Sequence, residues 1–178
     1  MRQRTQAELN RPSAASAKTQ ERTPVALVLE NVRSGRNVGS MLRTADAFAL
    51  AEVVLVGYTP VPPHREILKT SLGAEESVPW RHFATIEEAV GALRQNGWRV
   101  LALEQTTESL DVREVRFGES PLAFVVGNEV RGVSQAALDL VDGAVEIGQY
   151  GMKHSLNVGV AAGVVAYLGA AGRGSARG

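Results

Sequence analysis

Cysteine is absent from the 178 residues. That excludes a disulfide scaffold, a thiol nucleophile and any cysteine-based zinc site, and it suits a reducing compartment. Glycine (18) and proline (7) are too sparse for a low-complexity chain. No apolar run opens the sequence, so no secretory leader is expected. No Gly-Lys-Ser/Thr ending of a phosphate loop occurs, and no Gly-x-Gly-x-x-Gly turn, so the common nucleotide fingerprints are missing. No His/Asp/Glu spacing marks a metal site. An excess of one charge is also lacking, because 19 Lys and Arg balance 19 Asp and Glu. Neutrality by itself argues mildly against a nucleic-acid partner.

What is present is 44% hydrophobic residues in a length that suits one domain. The charge balance is an average over three unlike parts. Residues 1–22 carry five basic residues against two acidic, and residues 170–178 add Arg173 and Arg177. The body between them holds 12 basic and 17 acidic residues. We therefore expect a basic N-terminal extension over 1–23, one domain over 24–170, and a flexible basic tail over 171–178. Pro12 and the Ala/Ser cluster at Ser13–Ala17 make the extension a mobile or weakly helical segment.

Short apolar runs at Val25–Glu30, Val53–Val56, Arg99–Leu103 and Leu122–Val126 read as buried parallel strands. Helical patterns at Val38–Leu50, near His64–Leu72, at Ile86–Asn96 and at Ser134–Val141 alternate with them. That alternation predicts an α/β fold with a mainly parallel sheet flanked by helices. Gln105–Gly118 reads as the longest connection. Ser155–Gly172 holds no charge over 18 residues, a length that could span a bilayer. It is rich in Ala and Gly and follows a soluble α/β pattern, so it reads as a buried helix whose small face (Gly159, Gly163, Ala166) permits close packing. No membrane partner is expected.

Three polar clusters directly follow apolar strands, where open α/β sheets bind ligands. The first runs from Asn31 to Phe48. Gly35 and Gly39 permit a turn or a close approach, and Asn37 is placed to cap the following helix. Arg43 falls roughly 240° around that helix from Asn37 at 100° per residue. The second cluster is Phe124–Ser134, in which Gly127 and Gly132 bracket Asn128, Glu129 and Arg131. The third is Ile147–Ala162, with Ser155 and Asn157 at the mouth of the small-residue helix. Helix capping is the bland alternative for these two polar residues.

Together the clusters resemble the SpoU (TrmH-like) family of SPOUT methyltransferases. Asn37, Gly39, Arg43, Thr44 and Ala45 match its first motif, and Gly127, Glu129 and Gly132 match its second. Gly151, Ser155, Leu156, Asn157, Val158, Ala161 and Ala162 match its third. Lys69–Ala74 also resembles a family loop. Gly148-Gln149 departs from the frequent Pro-Met pair, and Gly159 stands where Ser is common.

The resemblance implies an α/β domain whose C-terminal part forms a deep trefoil knot, with the active site between two subunits of a homodimer. It implies methyl transfer from S-adenosylmethionine to a ribose 2′-hydroxyl of RNA, in the cytoplasm. tRNA is favoured as substrate and guanosine as nucleotide; rRNA, or an inactive RNA-binding protein, is the alternative. Catalytic roles fall to Arg43, Asn37, Glu129, Ser155 and Asn157. Cofactor contacts fall to Val126, Gly127, Asn128, Gly132, Ile147, Gly151, Ser155 and Leu156. Arg33, Arg36, Arg65, Lys69, Arg131 and Lys153 lie in or beside these loops and are expected to meet RNA. The family proposal makes Arg43 a general base, whereas a guanidinium rarely yields its proton. Stabilising the forming alkoxide or steering a phosphate is the other role open to it.

Overall fold

Runs of Val, Leu and Ala with no charge to place in water must be covered on both faces, and the chain meets this with a central sheet between two helical layers. A computed structural model describes residues 1–5, 7–9, 16 and 19–175, with backbone alone for 173–175. Its strands are β1 (Thr23–Glu30), β2 (Leu50–Val56), β3 (Trp80–Phe83), β4 (Arg99–Leu103), β5 (Leu110–Asp111), β6 (Leu122–Val126) and β7 (Ala144–Glu146). They form one sheet in the order β3-β2-β1-β6-β4-β7-β5, and every pairing is parallel.

The helices are α1 (Gly35–Ala47), α2 (Arg65–Ser71), α3 (Ala74–Ser77), α4 (Ile86–Gln95), α5 (Gln135–Leu140) and α6 (Val158–Ser175). Strand alternation assigns each layer its core. Leu27, Leu29, Leu55 and Phe124 point to the layer of α1 and α6, where they meet Val38, Met41, Leu42, Val165 and Ala166. Ala26, Val28, Val54 and Val125 point the other way and meet Ile86, Ala89, Val90 and Leu93 of α4. A capping box between Thr85 and Glu88 opens α4.

Several boundaries differ from the sequence reading, each for a local reason. Helix α1 begins at Gly35 because Ser34, not Asn37, is its cap: the Ser34 hydroxyl accepts from the Asn37 backbone N–H at 3.2 Å. It stops at Ala47, and the residues that continue the apolar pattern enter β2 from Leu50. Within Gln105–Gly118 lie the two-residue β5 and a 3-10 turn over Val112–Glu114. Strands β3 and β7 are too short to show a period.

At the C-terminus α6 starts at Val158 and continues to Ser175, so residues 171–175 are helical. Residues 176–178, Arg177 among them, lie outside the described residues, as do Pro12, Ser13–Ala15 and Ala17. The extension shows a 3-10 turn at Ala7–Leu9. Arg22 belongs to the body, since its guanidinium donates to the carbonyls of Leu50 and Ser77.

Of the small face expected on α6, Ala166 is buried in the core, but the tightest glycine contact lies further along the helix. A side chain at Gly163 would meet nothing within 4 Å, whereas one at Gly169 would strike Val25 at 2.5 Å. Gly39 is the tightest point of the first motif: a Cβ there would lie 2.4 Å from the Ile67 carbonyl. That glycine serves the α1–α2 contact. No helix among the described residues is long and apolar enough to cross a membrane.

Candidate active site

The strand order places the first and second clusters side by side. Strands β1 and β6 are neighbours, with Leu29 opposite Val126. The loop after β1 leads into α1 on one face of the sheet, and the turn after β6 leads into α5 on the other. Chains that diverge in this way leave a crevice at the strand C-termini. A cleft of about 720 Å³ opens there, between the 126–133 turn, the ends of β4 and β7, and residues 155–158.

One carboxylate ties the three clusters together. Glu129 Oε2 accepts from the Arg33 backbone N–H at 2.9 Å, and Oε1 accepts from the Ser34 backbone N–H at 3.0 Å. The Asn37 side-chain amide donates to the same Oε1 at 3.0 Å. Asn157 Nδ2 then donates to Asn37 Oδ1 at 3.3 Å. The other end of Asn157 caps α6, accepting from the Gly159 and Val160 N–H groups at 2.9 and 3.3 Å. Partial burial alone would raise the Glu129 pKa. Donors from Arg33, its own backbone, Asn37 and Ser34 outweigh it and hold the carboxyl below its ordinary value. The group is therefore an anion that fastens the start of α1 to the second motif.

Asn128 builds the turn that carries Glu129. It is buried, its Oδ1 accepts from the Val130 and Arg131 N–H groups, and its amide donates to the Asn31 carbonyl at 2.9 Å. The turn closes through paired backbone bonds between Asn128 and Gly132. Gly132 has φ +68°, and a Cβ there would lie 2.3 Å from Glu104 Oε2. Glu104 uses that room to accept from the Val133 N–H at 3.0 Å.

Of the residues predicted to meet cofactor, Val126, Gly127, Asn128, Gly132, Ile147, Ser155 and Leu156 line the cleft. Gly151 lies outside the lining, exposed on the following loop. Of the predicted catalytic set, Glu129, Ser155 and Asn157 line it, and Asn37 touches two of these by hydrogen bonds.

Arg43 is elsewhere. It is exposed beside Ser40, Thr44, Phe48, Lys69 and Thr70 in a separate, open depression, and it pairs with no other described residue. Among the predicted RNA contacts, Arg36 and Lys69 both pair with Glu66, whose carboxyl the two cations hold down at about 2. Arg33, Arg65, Arg131 and Lys153 are exposed and make no ion pair with a described residue.

The sequence reading missed two acidic residues of the lining, Glu104 and Glu146. Glu104 could have been found, because it is the first polar residue after an expected strand. Glu146 ends a strand too short to recognise. No group of three or more potential metal ligands occurs among the described residues.

Most of the chain is similar to known proteins. Residues 24–167 match the SpoU rRNA Methylase family. A tRNA (guanosine(18)-2′-O)-methyltransferase of Thermus thermophilus is 37% identical over 168 residues, 94% of this chain and 84% of that protein. The structure of an AdoMet-bound rRNA methyltransferase from Sinorhizobium meliloti superposes with a TM-score of 0.77 at 27% identity. That match covers 84% of this chain, which spans 56% of the Sinorhizobium protein. A TrmH/SpoU tRNA modifying enzyme from A. aeolicus shares the fold with a TM-score of 0.80 at 24% identity, over 92% of this chain and 82% of that one.

Proposed function

The chain belongs to the SpoU rRNA Methylase family, and from that premise we propose that it is an S-adenosylmethionine-dependent RNA methyltransferase acting on a ribose 2′-hydroxyl. tRNA is the favoured substrate, with guanosine as the favoured nucleotide, as the activity named for the Thermus relative supports. The observation that carries the reading is the hydrogen-bonded series Glu129–Asn37–Asn157, which joins all three motifs at the rim of one cleft. An inactive RNA-binding protein would have no need to keep that series intact.

S-adenosylmethionine supplies a methyl group already activated on a cationic sulfonium. The cleft fits such a group in size and sign. About 720 Å³ is ample for a small cofactor, and the charged residues of the lining are Glu104, Glu129 and Glu146 against Arg131. Backbone groups of residues 126–133 and of Ile147 and Leu156 are the polar contacts, with Val126, Leu103 and Val158 as the apolar wall. With the methyl activated, the protein has to position the ribose and manage the charge that develops on its oxygen. We assign Asn37, Asn157 and Ser155 to positioning and Arg43 to the alkoxide.

Arg43 reaches that role through a second copy of the chain. It stands on the outer face of α1 with Arg36, Ser40 and Ala47, all exposed. Beside this face α6 exposes Val160 and Tyr167. A homodimer built on these two helices covers the apolar pair and carries Arg43 of one protomer to the cleft of the other. The C-terminal knot belongs to the same proposal, because strand order and pairing do not by themselves describe threading. The reading places the protein in the cytoplasm, with its RNA.

The experiment is transfer from labelled S-adenosylmethionine to separate pools of tRNA and rRNA, followed by digestion to nucleosides. Label on a ribose in tRNA is expected. Label on a base, or transfer to neither pool, would overturn the proposal, and transfer to rRNA alone would correct its substrate.

A further inference from the structure

Tyr58 follows β2, in the loop beside the catalytic turn, and its side chain is 53% exposed. Its backbone is pinned from two sides. The Tyr58 N–H donates to Asn31 Oδ1 at 3.3 Å. Next to it the Thr59 hydroxyl is buried, lies 2.9 Å from the Leu29 carbonyl it can donate to, and accepts from the Val32 N–H. The far end of the ring is pinned as well, for the phenol oxygen accepts from Asn128 Nδ2 at 2.9 Å and from an Arg131 guanidinium nitrogen at 3.5 Å. Asn128 precedes Glu129 directly, so the ring is fastened to the turn that organises the site.

A tyrosine held at both ends cannot fold its exposed face onto the core. It presents a flat apolar surface to water in one orientation, at little further cost in entropy. Exposed neighbours supply the rest of a nucleic-acid contact, with Arg131 and Arg33 for phosphates and Val130, 76% exposed, as an apolar flank. The two other tyrosines lack this combination. Tyr167 packs edge-on against Phe48 between α1 and α6, and Tyr150, 89% exposed, sits beside Arg113 away from the turn.

We propose that Tyr58 is a stacking platform for a base of the RNA strand that enters the site, with Arg131 meeting an adjacent phosphate. The inference rests on the RNA methyltransferase reading and deepens it. Aromatic platforms serve single-stranded or splayed-out bases because every base has a π-face, so the contact tolerates many sequences. It would hold the strand beside the cleft while the ribose is aligned by Asn37 and Asn157.

The test compares Tyr58→Phe, Tyr58→Leu and Tyr58→Ala in the full chain. Affinity for unmodified tRNA is read by fluorescence anisotropy, and affinity for S-adenosylmethionine by calorimetry. Loss of the ring is expected to weaken tRNA binding by about 5- to 150-fold, the span of a single stacked base. Cofactor affinity should be unchanged, and Tyr58→Phe, which keeps the ring but loses the far anchor at Asn128 and Arg131, should bind tRNA more weakly than the wild type and more tightly than Tyr58→Ala. Three results overturn the inference: unchanged tRNA affinity in the Ala and Leu variants, parallel loss of cofactor affinity, which would make Tyr58 a strut of the turn, or a Phe variant as weak as Ala. A wild-type chain that binds neither tRNA nor rRNA would overturn the underlying reading together with it.

Discussion

Arg43 and Glu129 are both charged residues expected in the site, yet they answer to opposite surroundings. Glu129 is surrounded by donors and acts as an organiser, whereas Arg43 is exposed and pairs with no other described residue. If Arg43 stabilises charge on the attacking oxygen, Arg43→Ala should lower kcat by about 10²–10³-fold, the usual cost of losing such a donor. Single-turnover methyl transfer checks this, and cofactor affinity should stay at the wild-type level. Glu129 makes a prediction in pH. Its carboxyl is depressed in the folded protein, so the folded state holds fewer protons than the unfolded chain. The fastening of α1 to the turn is thus complete above the ordinary carboxylate value of 4.5 and is lost as pH falls through the lower folded value. Hydrogen exchange of the Arg33 and Ser34 amides should speed up on that acid limb. In Glu129→Gln the acid dependence should disappear, and, if Asn37 positions the ribose as proposed, kcat/KM near pH 7 should fall by about tenfold or more as its anchor is lost.

Among the elements, α1 carries the heaviest constraint, since it buries Val38, Met41, Leu42 and Ala45, carries Asn37 to the site, and packs on α2 through Gly39. The Ile67 carbonyl that a side chain at Gly39 would meet is backbone and cannot swing away. Gly39→Val should therefore destabilise the fold by about 1–3 kcal/mol, as overpacking does, and thermal unfolding would read this as a lowered Tm. Val25–Glu30 and Leu122–Val126 were legible as strands because residues buried on both faces leave an unbroken apolar run. The cap of α1 was misread because Ser34 and Asn37 are both good capping residues, and only the bond from Asn37 N–H to Ser34 Oγ decides between them. The residue types of the site were legible, and their joining was not. Asn37 and Glu129 are 92 positions apart, and nothing in spacing shows that β1 and β6 are neighbours. The small face of α6 was legible only in part for the same reason, since Ala166 is buried in the core while Gly169 and not Gly163 meets β1.

At the scale of the whole molecule, neutrality conceals a division of labour. The body carries 17 acidic against 12 basic residues, yet Arg33 and Arg131 stand exposed at the site and Arg65 and Lys153 are exposed too, all without an ion pair to a described residue, and Arg43 stands exposed on the outer face of α1. The acidic lining of the cleft and these outer cations suit two ligands of opposite sign, a cationic cofactor inside and a polyanion outside. We expect the N-terminal extension to add to the second. Arg22 is committed to the carbonyls of Leu50 and Ser77, and Arg2 is paired with Glu8. Among the described cations of the extension, Arg4 is the one with no ion pair to a described residue. Removing residues 1–21 keeps Arg22 and its contacts with the body, so the fold and the cofactor affinity should be retained. The affinity for tRNA should fall, and the slope of log K against log salt should flatten by roughly 0.7–0.9 for each phosphate contact removed. A titration series from low to high salt measures that slope directly. An unchanged slope would mean that the extension takes no part in RNA binding, and that the cations around the cleft carry it alone.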